Sequence, residues 1–113
     1  MRVEEEKHGL VMVVRPMERR LDAAAAAVFK TKLVELIQRG ERYIVLDLAA
    51  VDFIDSTGLG AIVSSLKALG GTGEIAICNP RETVMSLFRL TRMNRVFRIL
   101  PSVEEAIAGM PGS

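Results

Sequence analysis

Three short apolar runs, set at regular intervals and separated by amphipathic stretches, constrain this chain more than any other feature. They are Leu10-Val11-Met12-Val13-Val14, Tyr43-Ile44-Val45-Leu46-Asp47-Leu48 and Glu74-Ile75-Ala76-Ile77-Cys78. The runs are rich in β-branched residues, and the first is apolar throughout, as in a strand covered on both faces. Helix-like segments lie between them. Alternation of this kind implies a parallel sheet built by right-handed crossovers, with helices packed against it.

The intervening segments carry helix signals. Asp22 caps a helix over Ala23–Arg39, where five consecutive alanines raise propensity. Ala25, Phe29, Leu33 and Leu36/Ile37 form its apolar stripe, and Gly40 stops it. Leu59, Ile62, Val63, Leu66 and Leu69 mark a second helix, broken by Gly70-Gly71-Thr72-Gly73. A third is predicted to start with Asn79 as cap, Pro80 as first helical residue and Glu82 reaching back. Val84, Leu87, Phe88 and Thr91 would face inward.

Val96–Leu100 reads as a last short strand. Ser102-x-x-Glu105 opens a final helix with Val103, Ala106, Ile107 and Met110 inward. At the front, polar Arg2–Glu6 makes an edge strand. It joins the first apolar run through a turn at Lys7-His8-Gly9, and Pro16 ends that run. The expected order is β-β-α-β-α-β-α-β-α, an α/β fold with a mixed, mostly parallel sheet of four or five strands and about four helices. One domain spans 1–113, with its core at 10–107 and a frayed tail at 111–113.

Composition narrows the function classes. The chain has 113 residues, a net charge of +1, one cysteine, one histidine and no tryptophan. A charge so close to balance argues against a general nucleic-acid or anionic-membrane binder. The acidic start Met1-Arg2-Val3-Glu4-Glu5-Glu6 is unlike a signal peptide, and no apolar run is long enough to span a membrane. A soluble, cytoplasmic protein is expected.

Enzymatic constellations fare poorly. His8 sits in the expected hairpin turn, far from any serine-based triad. Cys78, at the end of a core strand, reads as an inert buried thiol, and no zinc-ligand spacing exists. Gly58-Leu59-Gly60 and Gly70-Gly71-Thr72-Gly73 both lack the remainder of a nucleotide-binding loop. Asp52 and Asp55 read as a solvated loop residue and a helix cap, not as an acid/base pair. The series Arg89, Arg92, Arg95 and Arg98 crosses a helix–loop–strand boundary, so it forms a solvated or partner-facing rim. Arg19 and Arg20 lie in a charged connector. No metal, cofactor or catalytic residue is expected.

What remains is Val51-Asp52-Phe53-Ile54-Asp55-Ser56-Thr57-Gly58-Leu59-Gly60-Ala61, where a strand tip becomes a helix N-terminus. Ser56 or Thr57 can serve as N-cap there. The same unpaired amides and positive dipole end also favour a phosphate on the cap hydroxyl. The residues alone leave both readings open.

This stretch resembles the STAS family, and within it the bacterial anti-anti-sigma factors, or anti-sigma factor antagonists. Leu21-Asp22 before an Ala-rich helix, and Leu87-Phe88-x-Leu90 after a strand and Asn-Pro, extend the resemblance to most of the chain. It implies a STAS (SpoIIAA-like) fold and a cytoplasmic partner-switching protein, a monomer or weak dimer without enzymatic activity. In that family the unphosphorylated protein binds an anti-sigma factor that is also a GHKL-type serine kinase, and so releases the sigma factor. By position Ser56 is the phosphoacceptor, with Thr57 the second choice. Asp22, Asp55, Ser56, Thr57, Gly58 and Leu59 carry the partner surface, and a PP2C-type phosphatase resets the switch. The alternative role is a scaffold or regulatory subunit of a stressosome-type assembly, an ABC transporter or a secretion-control pathway. The chain departs from the family at Glu18-Arg19-Arg20, where a glycine is usual. It departs again at Thr91-Arg92-Met93, where Ser/Thr-Gly-Leu is common.

Overall fold

The computed structural model describes residues 1–112. Its main sheet has the order β1-β2-β4-β6-β7. The strands are β1 (Val3–His8), β2 (Val11–Pro16), β4 (Tyr43–Asp47), β6 (Glu74–Cys78) and β7 (Ile99–Leu100). Only β1 is antiparallel to its neighbour; β2, β4, β6 and β7 run parallel. The helices are α1 (Ala23–Gln38), α2 (Ser56–Leu69), α3 (Glu82–Leu90) and α4 (Val103–Ala108). A second, two-residue ladder pairs β3 (Arg20–Leu21) with β5 (Phe53–Ile54) in parallel. The expected alternation is present, and this small ladder is an addition to it.

The sheet divides the core in two. On one face Phe29, Leu33, Leu36, Ile62, Val84 and Phe88 bring α1, α2 and α3 onto Ile44, Leu46, Ile75 and Ile77. On the other, Ala106 and Met110 of the α4 segment cover Val11, Val13, Val45, Ala76 and Cys78. Helices on both faces explain why β2, β4 and β6 read as near-continuous apolar runs. In α1 the inward residue is Ala26 beside Phe29, Leu33, Leu36 and Ile37, with Ala25 half-buried. Gly70 ends α2 in the left-handed region at φ +59, the conformation a helix stop requires.

Several local expectations are corrected. His8 is the last residue of β1, paired with Val11, and its Nε2 lies 2.7 Å from Glu6. The hairpin turn is therefore Gly9-Leu10, and Leu10 is an exposed turn residue instead of a core strand residue. Asn79 does not cap α3: it adopts φ +56 and its amide donates to buried Asp47 at 3.1 Å. Asp47 also accepts from Arg15 Nε at 3.0 Å and the Ala49 amide at 3.1 Å. A buried carboxylate costs free energy unless its lone pairs are filled, and satisfying it claims Asn79. Helix α3 thus starts at Glu82, after Arg81, without a side-chain cap.

The last strand is also shorter than expected. Met93–Arg95 forms a 3-10 turn, and Val96 is exposed. Phe97 is buried, packing edge-on against Phe88 with ring centroids 6.3 Å apart. That aromatic contact fixes the chain before β7 can begin. The tail expected to fray is held as far as Gly112, whose carbonyl accepts from the Leu10 amide at 3.0 Å. The expectation for Ser113 lies outside the described residues. Among the described residues, no helix is long and apolar enough to cross a membrane.

Phe88 is fully buried where α3, the sheet and the pre-β7 turn meet. Phe88→Ala should cost about 3–5 kcal/mol of unfolding free energy. A denaturant titration followed by circular dichroism reads this as a large fall in midpoint.

Candidate partner-docking corner

The small ladder builds the site. In it Arg20 pairs with Phe53 and Leu21 with Ile54. The Asp52 and Phe53 amides donate to Arg19 O at 2.8 and 3.1 Å, and the Asp55 amide reaches Leu21 O at 3.4 Å. Each strand is followed at once by an aspartate and then a helix: Leu21-Asp22-α1 and Ile54-Asp55-α2. Both aspartates are N-caps. Asp22 accepts from the Ala25 amide, and Asp55 accepts from the Thr57 and Gly58 amides at 3.0 Å each. Two helix N-termini, each with a positive dipole end, therefore open at one corner.

Of the caps expected for α2, the aspartate is the one that forms, and the serine and threonine alternatives do not. Asp55 is the cap, and Ser56 is the first helical residue. Asp55 has the extended backbone of a cap residue (φ −96, ψ −174), whereas Ser56 is already helical. The Thr57 hydroxyl also donates to Asp55 Oδ1. These bonds engage both neighbours of Ser56 and leave its exposed hydroxyl out. The Thr57 hydroxyl bond holds the Asp55 carboxyl below its usual range, aided by the Gly58 and Thr57 amides and the Arg20 charge. Asp55 is ionised at neutral pH.

Gly58 explains how two helices and two strands fit so closely. A Cβ there would lie 2.2 Å from the Leu21 carbonyl oxygen and 2.9 Å from the Ile54 side chain. Only a glycine lets β3 cross this closely over the first turn of α2. Gly58 and Leu59, expected on the partner surface, are buried, and so support the corner from beneath. Ser56 and Thr57 are exposed, while Asp22 and Asp55 are half-buried.

Charge surrounds the corner. Arg19 holds Asp52 through Nε and a terminal nitrogen, at 3.0 and 2.8 Å. The Arg20 guanidinium lies 4.1 Å over the exposed Phe53 ring, a cation–π contact, and 3.8 Å from Asp22. An open groove of about 600 Å³ begins here, between Met17–Arg20 and the Ala24, Ala25 and Val28 side of α1. Thr83 Oγ1 donates to Asp52 O and ties the start of α3 to the same loop. The sequence reading missed this ladder. Its one available signal was Leu21-Asp22 and Ile54-Asp55, the same apolar–acidic pair placed before each helix.

The other candidate groups lie elsewhere. Cys78 is buried, and burial, with the Asp47 charge behind it, pushes its thiol up to about 12. That environment belongs to an inert core cysteine. His8 lies on the edge strand, paired with Glu6. Among the described residues, no group of histidine, cysteine or acidic side chains could hold a metal ion.

Known proteins share this architecture. A family profile described as the STAS domain matches residues 2–106. The anti-sigma F factor antagonist of Paenibacillus polymyxa is 32% identical over 109 residues, spanning 95% of this chain and 90% of that one. The anti-sigma-B factor antagonist of Staphylococcus epidermidis is 31% identical over 85 residues, 74% of this chain and 79% of that one. The crystal structure of an anti-sigma factor antagonist from Mycobacterium paratuberculosis has a TM-score of 0.88 at 21% identity, covering 96% of this chain and 92% of that one. At that identity the last match speaks for the fold alone.

Two measurements test the corner. Gly58→Ala should cost about 1–3 kcal/mol, because backbone has to shift, and should speed hydrogen exchange of the Phe53 and Asp55 amides. Asp55 has a lowered folded pKa, so its stabilisation is full above the unfolded carboxylate range. It is lost as pH falls through the folded value. In urea titrations across acid pH, Asp55→Asn should remove that part of the decline.

Proposed function

The chain belongs to the STAS domain family, in the company of anti-sigma factor antagonists, and on that premise we propose that it is itself an anti-sigma factor antagonist. Its unphosphorylated Asp22–Ser56 corner docks on an anti-sigma factor that is also a GHKL-type serine kinase, and so frees the sigma factor. Phosphorylation of Ser56 switches docking off, and a PP2C-type phosphatase restores it. The observation that carries this reading is the Ser56 hydroxyl. It is exposed, it stands outside the cap's hydrogen bonds, and it opens a helix beside a second helix N-terminus.

The geometry favours Ser56 over Thr57 as acceptor, because the Thr57 hydroxyl is committed to Asp55. In the transfer, Ser56 Oγ attacks the γ-phosphorus of ATP, its proton passes to a base, and ADP leaves. Asp55, held ionised with a depressed pKa, is a poor base, so the kinase supplies that group.

The phosphate adds about −1.5 to −2 charges. The first turn of α2 tolerates it, since the dipole end there is positive. A partner's docking face does not, because the added charge stands beside ionised Asp55 and closure strips away its water. A hundredfold loss of affinity needs only about 2.7 kcal/mol.

The test is incubation with the cognate kinase and ATP, followed by site mapping. Modification should fall on Ser56 and vanish in Ser56→Ala. Ser56→Asp should bind the kinase at least about a hundredfold more weakly than Ser56→Ala. Modification persisting in Ser56→Ala, or equal binding by the two variants, would defeat the switch.

A further inference from the structure

We infer that the C-terminal end of α3 and the turn after it form a second docking surface, which takes an acidic amphipathic segment of a partner protein. Leu90 is 83% exposed and Val96 51% exposed, the former the most exposed large apolar side chain described. Between them the backbone reverses at Arg92, which adopts the left-handed conformation (φ 60, ψ 19). Arg92 N donates to Arg89 O and Arg95 N to Arg92 O, each at 3.1 Å, so the reversal is a fixed part of the fold.

A reversal that ends a helix in this way is usually made by glycine, which carries no strain there. An arginine in its place is strained, and among the described residues its side chain makes no hydrogen bond. Among the described residues Arg92 and Arg95 form no ion pair, whereas Arg89 holds Glu82 and Arg98 holds Glu74. Strain kept without an internal return points to an external contact. Two unpaired cations set in the chain between two exposed aliphatic side chains complement a helix with a leucine stripe edged by carboxylates.

Nucleic acid fits less well. The nearby aromatics, Phe88 and Phe97, are buried and offer no stacking platform. The net charge of +1 adds little attraction for a polyanion. The surface also stands apart from the Ser56 corner. Helix α3 begins beside Asp52 through Thr83 and runs nine residues away, roughly 13 Å at 1.5 Å per residue. The inference does not rest on the phosphorylation switch.

The probe is a fluorescein-labelled helical peptide of about 18 residues with leucine at i, i+3, i+4 and i+7 and glutamate on the flanks. Anisotropy should show saturable binding that weakens with salt. A lysine-flanked twin, or Arg92→Gly/Arg95→Ser protein, should bind at least about tenfold more weakly. Ser56→Asp protein should bind the peptide as the native chain does, which separates this surface from the switch. Arg92→Gly alone should unfold at the same or a higher temperature, since strain is relieved. Equal binding of both peptides, unchanged binding by the double variant, or destabilisation by Arg92→Gly would overturn the inference. So would preferential binding of single-stranded DNA or phosphatidylserine vesicles through these arginines, or self-association that the double variant abolishes.

Discussion

The contact on which the functional corner depends is the approach of the Leu21 carbonyl to Gly58. Any side chain at position 58 would push β3 off α2, and with it the ladder that joins the Asp22 loop to the Asp55-Ser56 loop. Because Gly58 allows the approach, Arg20 and Leu21 can pair with Phe53 and Ile54. The two aspartate caps then stand side by side, and α1 and α2 start from one place. The main sheet supplies the stable platform. The two-residue ladder decides which residues of the platform meet.

That arrangement makes the corner suited to a charge-based switch. Two positive helix ends would ordinarily attract an anion, and here Asp22 and Asp55 already occupy them as intramolecular caps. The amides of Ala25, Thr57 and Gly58 are thus satisfied before any modification. A hydroxyl at the first helical position is presented without being needed for structure. Adding charge there alters the surface while leaving the fold's own hydrogen bonds in place. The same economy is absent at the far end of α3, where Arg92 keeps a strained backbone and, among the described residues, no ion-pair partner.

Much of the fold was legible in the sequence, for physical reasons that differ by element. The runs at β4 and β6 are buried on both faces, so composition alone marks them. Helix α1 has a cap, a stripe and a stop in register. The failures occur where a local signal competes with a distant group. Asn79 before Pro80 and Glu82 looks like a helix start, but buried Asp47 needs its amide. Val96–Leu100 looks like a strand, but the Phe88–Phe97 contact holds Phe97 first. The β3–β5 ladder has two residues per strand, too few for any periodicity to declare itself. At the corner, the stretch was found, yet the cap was left among Asp55, Ser56 and Thr57. Choosing among them depends on which residue keeps the extended backbone of a cap, and that is decided by the path of the chain.

The central claim is that Asp22 and Ser56 belong to one docking surface held together by β3 and β5. Amide hydrogen exchange, comparing the free chain with its complex with the cognate anti-sigma factor, tests it most directly. Joint protection of residues 20–22 and 53–58, with the α4 face unchanged, is the predicted result. Protection of only one of these two segments, or of α4 and β1 in their place, would contradict it.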